Sequence, residues 1–162
     1  MPKVSVICCF YNEEKHLEES LVSIFQQTFT DFELIVVNDG STDQSLEIAK
    51  KLHCPKMRIL INKYNEGLNV SRNRALLAAT GEYIAIQDAD DISYPQRLQK
   101  QVMFLASHPA ITVVGSWATK INNNGTEQGS MIYPAMDTLS AIRSIIKMRL
   151  NRSHNINIID KT

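Results

Sequence analysis

The chain has 162 residues, 44% of them hydrophobic and 21% charged: enough apolar material for one domain with its own core, and too little chain for two. Its 17 basic and 17 acidic residues cancel, which argues against a nucleic acid partner, because proteins that bind duplexes carry a basic excess. Three cysteines without framework spacing (Cys8, Cys9 and Cys54) read as reduced thiols in a cytoplasmic protein. No stretch has the make-up of a secretory signal, and no apolar run approaches transmembrane length. Peripheral attachment at the inner face of a plasma membrane stays compatible with that pattern.

The first element is "VSVICCF" (residues 4–10), a continuous apolar run rich in β-branched side chains and the signature of a strand buried on both faces. Next, "NEEKHLEESLVSIFQQ" sets Leu17, Leu21, Ile24 and Phe25 at helical spacing. Asn12 is its expected N-cap, with Glu13 and Glu14 at the positive end of the helix. "FELIVVND" is a second buried strand, and "GSTDQSLEIAKKL" a helix expected to be capped by Ser41 or Thr42. "RILIN" is a short third strand, "NVSRNRALLAAT" a helix that Gly81 stops, and "EYIAIQ" a fourth strand. Pro95 is placed to open the helix "PQRLQKQVMFLASHP" at its first turn. "AITVVGSWATKI" reads as a fifth strand, "NNNG" as a turn and "DTLSAIRSIIKMRL" as an amphipathic helix. This alternation implies right-handed βαβ units: a Rossmann-like α/β fold with a mostly parallel sheet sandwiched by helices.

In such sheets ligands bind beyond the C-terminal ends of the strands. Polar clusters fall at three of those ends: "FYNEE", "NDGSTD" and "DADD". In an extended segment Asp88 and Asp90 project to one side, because strand side chains alternate. Paired carboxylates suit Mg²⁺ or Mn²⁺, which take few protein ligands and complete their shell with water and phosphate oxygens. A lone D-x-D is better read as a solvated acidic turn capping the next helix; its place after a buried strand favours the cation. Asp39 stands where a strand releases into a loop, and can accept from a base N–H or a ribose hydroxyl. Arg72 and Arg74 lie at a helix start, a setting that favours phosphate, though Arg74 also reads as a solvated side chain. The four histidines are scattered and make no zinc pattern.

Taken in order, "VSVICCFYNEEKHLEESLVSIFQQTFTDFELIVVNDGSTDQS", "NEGLNVSRNRALLAATGEYIAIQDADD" and "YPQRLQKQV" resemble the inverting glycosyltransferases of family 2, which have the GT-A fold. The resemblance implies a nucleoside-diphosphate sugar as donor, a UDP-sugar first, and transfer of the sugar to the hydroxyl of a glycan or lipid-linked acceptor with inversion. It places Tyr11 by the nucleobase, Glu13 near the nucleotide, Asp39 as acceptor from the base and Arg72 beside base or diphosphate. Asp88 falls to the ribose and the metal, Asp90 to the metal bridging the diphosphate, with Cys9 and Ala89 lining the same site. It leaves Asp91 as a supporting residue or helix cap.

The family's general base is an acid well downstream of the D-x-D. Beyond Gly115 the acids are Glu127, Asp137 and Asp160, none in a convincing context. Residues 1–121 are therefore expected to form a donor-binding domain, and residues 122–162 an incomplete start of the acceptor side. The alternative is a nucleotide-sugar-binding module without catalysis. A sugar nucleotidyltransferase ranks below both, since "FYNEE" is no Gly-rich basic loop.

Overall fold

Burial sorts the strands first. Val4–Phe10 (β1) has no exposed residue, and Phe32–Asn38 (β2) is buried at every position but one. The structure, a computed structural model, describes residues 1–52, 54–122, 125–131 and 159–160. Met57–Ile61 (β3) and Tyr83–Asp88 (β4) complete a parallel set in the order β3-β2-β1-β4. The order reverses between β1 and β4, so the switch point lies where Phe10 and Asp88 end their strands. On the outer edge of β4, the two-residue strand Ile159–Asp160 (β7) pairs antiparallel with Tyr83 and Ile84.

The period-two alternation of strands builds two cores. Val4, Val6, Cys8 and Phe10 pack with Leu34 and Val36 under Leu17–Phe25 (α1) and Arg97–Ser107 (α4), through Leu17, Leu21, Ile24, Leu98, Val102 and Leu105. The opposite parity, Ile7, Cys9, Ile35, Val37, Ile84 and Ile86, meets Ala75 and Ala79 of the helix Leu68–Ala78 (α3) and the residue that ends it. Each fully buried Val, Leu or Ile contributes about 1.5–3 kcal/mol. Helix Ser45–Lys51 (α2) adds Ala49 to the first core.

Four local expectations are corrected. Asn12 does not cap α1: that helix starts at Leu17, and Asn12 sits in the left-handed region at φ 54°. Ser41 and Thr42 do not cap α2, which starts at Ser45, where Asp43 Oδ1 accepts from the Ser45 amide and hydroxyl. Pro95 precedes α4 in a turn closed by the Arg97 amide donating to the Tyr94 carbonyl. The stretch 110–121 is not a strand of the main sheet. Only Ala118–Ile121 (β5) is extended, in a separate hairpin with Glu127–Met131 (β6), while Ile111 and Val114 pack half-buried against the first core. At the end of that hairpin the Gly125 amide donates to the Asn122 carbonyl, while residues 123–124 of the expected turn lie outside the described residues. The amphipathic helix expected from Asp137 onward lies outside the described residues.

Candidate functional site

Three strand ends deliver the polar clusters to one rim. Tyr11 follows β1 and is 42% exposed, Asp39 follows β2 at 3%, and Asp88 closes β4. Cys9 faces Asp88 in the β1–β4 register, with Phe10 opposite Asn38 on the other side. A recess at this rim is lined by Cys9, Phe10, Tyr11, Asp39, Asn65, Leu68 and Ser71.

Asp39 is the organiser of that recess. Its Oδ1 accepts from Asn62 Nδ2 at 2.8 Å and the Glu66 amide at 3.0 Å, and its Oδ2 from the Gly67 amide at 2.9 Å. Burial pushes its carboxyl up, but these donors and Ser71 together hold it below the ordinary value. Asn62 Nδ2 also donates to Ser71 Oγ at 2.8 Å, and Arg74 donates to Asn62 Oδ1 and, at 2.8 Å, to the Ile61 carbonyl. Arg74, expected on a solvated face, is thus anchored though exposed.

The first two clusters are sewn together. Asn12 N donates to Ser41 Oγ at 3.1 Å, Glu13 N to Ser45 Oγ at 2.8 Å and Glu14 N to Asp43 Oδ2 at 3.1 Å. In return Thr42 N donates to Asn12 Oδ1 at 2.8 Å and Gln44 N to Glu14 Oε2 at 3.1 Å. Residues expected to cap helices instead tie loop to loop.

On the other side of the switch point, Arg72 Nη2 donates to Asp88 Oδ1 at 2.7 Å. Burial raises the Asp88 carboxyl above its ordinary value, Arg72 lowers it, and the Asp90 charge raises it again. Glu13 is raised by burial first and by Asp90 next. The Asp90 charge thus raises both Glu13 and Asp88, and a cation beside it would offset that effect. The chain does not stay extended through the D-x-D: Ala89 and Asp90 form a turn closed by the Asp91 amide donating to the Asp88 carbonyl at 3.2 Å. Ala89 is buried and Asp90 exposed. Strand alternation is thus not what relates the two carboxylates. Among the described residues no group of three or more His, Cys, Asp or Glu is arranged to hold a metal. The hard oxygen donors of Asp88 and Asp90 fit an ion that draws its other ligands from phosphate and water. Cys9 is no thiolate ligand, since burial pushes its thiol up to about 12.

Sequence reasoning passed over Gln87, Asn62 and Ser71, which are all buried. The signal was, for Gln87, a polar residue at an inward position of a buried strand and, for Asn62, one just past a strand end; Ser71, on α3, carried none. Of the downstream acids, Glu127 lies exposed on β6. The backbone of Asp160 pairs with Tyr83, five residues and so about 16 Å from Asp88 along β4. Asp137 is outside the described residues.

A parallel sheet with helices on both faces and a recess at the C-terminal ends of its strands is the layout of a nucleotide-binding α/β domain. The profile of the family described as Glycosyl transferase family 2 matches residues 5–161, and the chain belongs to that family. It is 44% identical over 138 residues to EpsE of Bacillus subtilis (strain 168), named as a glycosyltransferase, covering 83% of this chain and 49% of that protein. It is 30% identical over 139 residues to the Escherichia coli protein WfgD, named UDP-Glc:alpha-D-GlcNAc-diphosphoundecaprenol beta-1,3-glucosyltransferase, covering 86% and 54%. S. aureus TarS 1-349 in complex with UDP matches with a TM-score of 0.63 at 36% identity, over 66% of this chain and 33% of that one. The mannosyltransferase PcManGT from Pyrobaculum calidifontis, in complex with GDP-Man and Mn²⁺, matches with a TM-score of 0.65 at 31% identity, over 70% and 35%. The chain spans about half the length of the two curated relatives and about a third of the two solved chains.

Proposed function

We propose that this chain is the donor-binding portion of an inverting, divalent-metal-dependent glycosyltransferase that passes a sugar from a UDP-sugar to the hydroxyl of a glycan or lipid-linked acceptor. One observation carries the reading: Tyr11, Asp39, Arg72, Asp88 and Asp90 converge on the switch-point rim of a family 2 chain. Tyr11 offers an exposed ring on which a base stacks. Asp39, pre-set as a carboxylate by three donors, fixes the wall of the base recess and accepts from the base. Arg72 holds Asp88 and presents a cation toward the diphosphate. Asp88 and Asp90 would hold Mn²⁺ or Mg²⁺, which supplies positive charge where the departing diphosphate gains negative charge. In this reading residues 1–121 hold the donor and residues 122–162 begin the acceptor side, in a cytoplasmic protein working at the inner face of the membrane. Uridine has the support of the UDP complex of TarS and of the name of WfgD; guanosine has that of PcManGT.

Calorimetric titration of the chain with UDP and with GDP, each with and without Mn²⁺, tests this. UDP is expected to bind, more tightly by about tenfold or more with Mn²⁺, a gain that Asp90→Ala removes while its unfolding temperature holds. An Asp90→Ala protein that still responds to Mn²⁺ overturns the metal assignment. Absence of nucleotide binding by the wild type overturns the whole reading.

A further inference from the structure

We propose that Gln87 is a positioning residue for the acidic turn: its buried side-chain amide fixes the backbone of residues 88–91, and with it the direction in which Asp88 and Asp90 meet a divalent cation. This rests on the donor-site reading above and concerns a residue that contacts neither nucleotide nor metal.

Gln87 is 2% exposed and stands next to Asp88 on β4. Neighbouring strand residues point to opposite faces. Asp88 accordingly reaches Arg72 on α3, while Gln87 turns into the space between α1 and α4. There its Nε2 donates to the Asp91 carbonyl at 2.7 Å, with longer contacts of 3.2 Å to the Asp88 carbonyl and to Ser20 Oγ. Its Oε1 accepts from Ser93 Oγ at 2.6 Å and from Arg97 Nη2 at 3.2 Å. One side-chain nitrogen therefore joins the two carbonyls that bracket the D-x-D turn. The scaffold behind it is fixed in turn. Ser20 Oγ donates to the Asp88 carbonyl at 3.0 Å, Ser23 Oγ to the Ser20 carbonyl at 2.6 Å, and the Ser93 amide to Ser23 Oγ at 3.0 Å.

An apolar side chain of similar length fills the volume of Gln87 but withdraws the acceptor from the buried Ser93 hydroxyl and Arg97 guanidinium, so it costs stability whatever else Gln87 does. What an apolar residue does not do is hold two backbone carbonyls at a set separation. A carboxylate there does not do so either: Gln87→Glu keeps the acceptor for Ser93 and Arg97 and loses the donor. The donor matters because a small dication tolerates little error in where its ligands point, and groups behind the ligands set that aim.

The test compares wild type, Gln87→Glu, Gln87→Met and the milder Ser20→Ala. UDP affinity is measured with and without Mn²⁺, together with the unfolding temperature and the amide NMR shifts of residues 88–93 in the metal-free chain. Both Gln87 variants are expected to lose about tenfold or more of the Mn²⁺-dependent gain while metal-free UDP affinity stays at the wild-type value. The amide shifts should move within 88–93 and not in β2. Ser20→Ala, which removes one donor to the Asp88 carbonyl, should show a smaller loss of the same kind, and it decides the matter should the Gln87 variants not fold. A loss of unfolding temperature in either Gln87 variant is expected under both roles; a merely structural role predicts that affinity falls equally with and without metal, and that result overturns the proposal. If Asp90→Ala abolishes the metal response and folded Gln87 variants keep it, the positioning role fails and the donor-site reading stands. If the wild type shows no Mn²⁺ response, both fall together.

Discussion

Asp39 shows how much a single carboxylate organises. It stands at a strand end, and its oxygens draw in Asn62 and the amides of Glu66 and Gly67, so it shapes the recess wall as well as facing the recess. Asp39→Asn keeps the shape but turns one acceptor into a donor aimed at other donors. We expect a loss of about 1.5–3 kcal/mol in urea unfolding, with weaker UDP binding both with and without Mn²⁺. The pH dependence has a definite sign. The folded carboxyl lies below its ordinary value, so its contribution is fully present above that value and fades as pH falls through the lower, folded one. An unfolding-temperature profile taken below about pH 4 should be flatter for Asp39→Asn than for wild type. The position of Asp39 was legible from the sequence, because a carboxylate after a buried strand stands out. Its partners were not: Asn62 and Ser71 lie 23 and 32 positions away, and only the fold brings them near.

At the scale of elements, two glycines mark where segments approach too closely for a side chain. A Cβ on Gly81 would lie 2.5 Å from the Ser5 amide nitrogen and 2.7 Å from the Val4 carbonyl carbon, both in the backbone of β1. Gly81→Ala should destabilise the fold by about 1–3 kcal/mol without changing UDP affinity relative to the folded fraction, since it acts at the end of the sheet remote from the recess. Gly40 differs. It has φ 71°, and a Cβ there would meet the backbone of Tyr64 and, at 2.7 Å, the Asn65 nitrogen. Gly40→Ala adds left-handed strain of about 1–2 kcal/mol and pushes the 64–67 loop away from Asp39. Both denaturation midpoint and nucleotide affinity should fall, and a variant that lost only stability would show that the loop's position does not matter for binding. The parallel strands and their helices were legible because apolar periodicity is a local property. Helix starts were less so: Asn12, Ser41 and Thr42 have the chemistry of caps, and their side chains found partners across loops instead.

For the whole molecule, the segment from Ala110 to Ile121 is the instructive miss. Its apolar, β-branched composition favours extension, but composition does not choose which strand, or which core, a segment packs against. Ile111 and Val114 found burial against the first core without pairing, and β5 took β6 as its partner. The D-x-D was legible as an acidic cluster at a strand end and misleading as geometry, since strand alternation was assumed to continue where the chain already turns. Gln87, inside the same stretch, is a polar residue in a buried strand whose hydrogen bonds reach the Asp88 and Asp91 carbonyls, a tie that no local pattern reveals.

The stitching of residues 12–14 to residues 41–45 has a kinetic consequence. Neither segment can lift without the other letting go, so the two should open as one cooperative unit, with a single free energy instead of two. Hydrogen–deuterium exchange would read this as a common rate for the amides of Asn12, Glu13, Glu14, Thr42 and Gln44, each of which donates across the seam. Asn12→Ala should speed them all, including amides it never touches. Independent rates would mean that the seam transmits nothing.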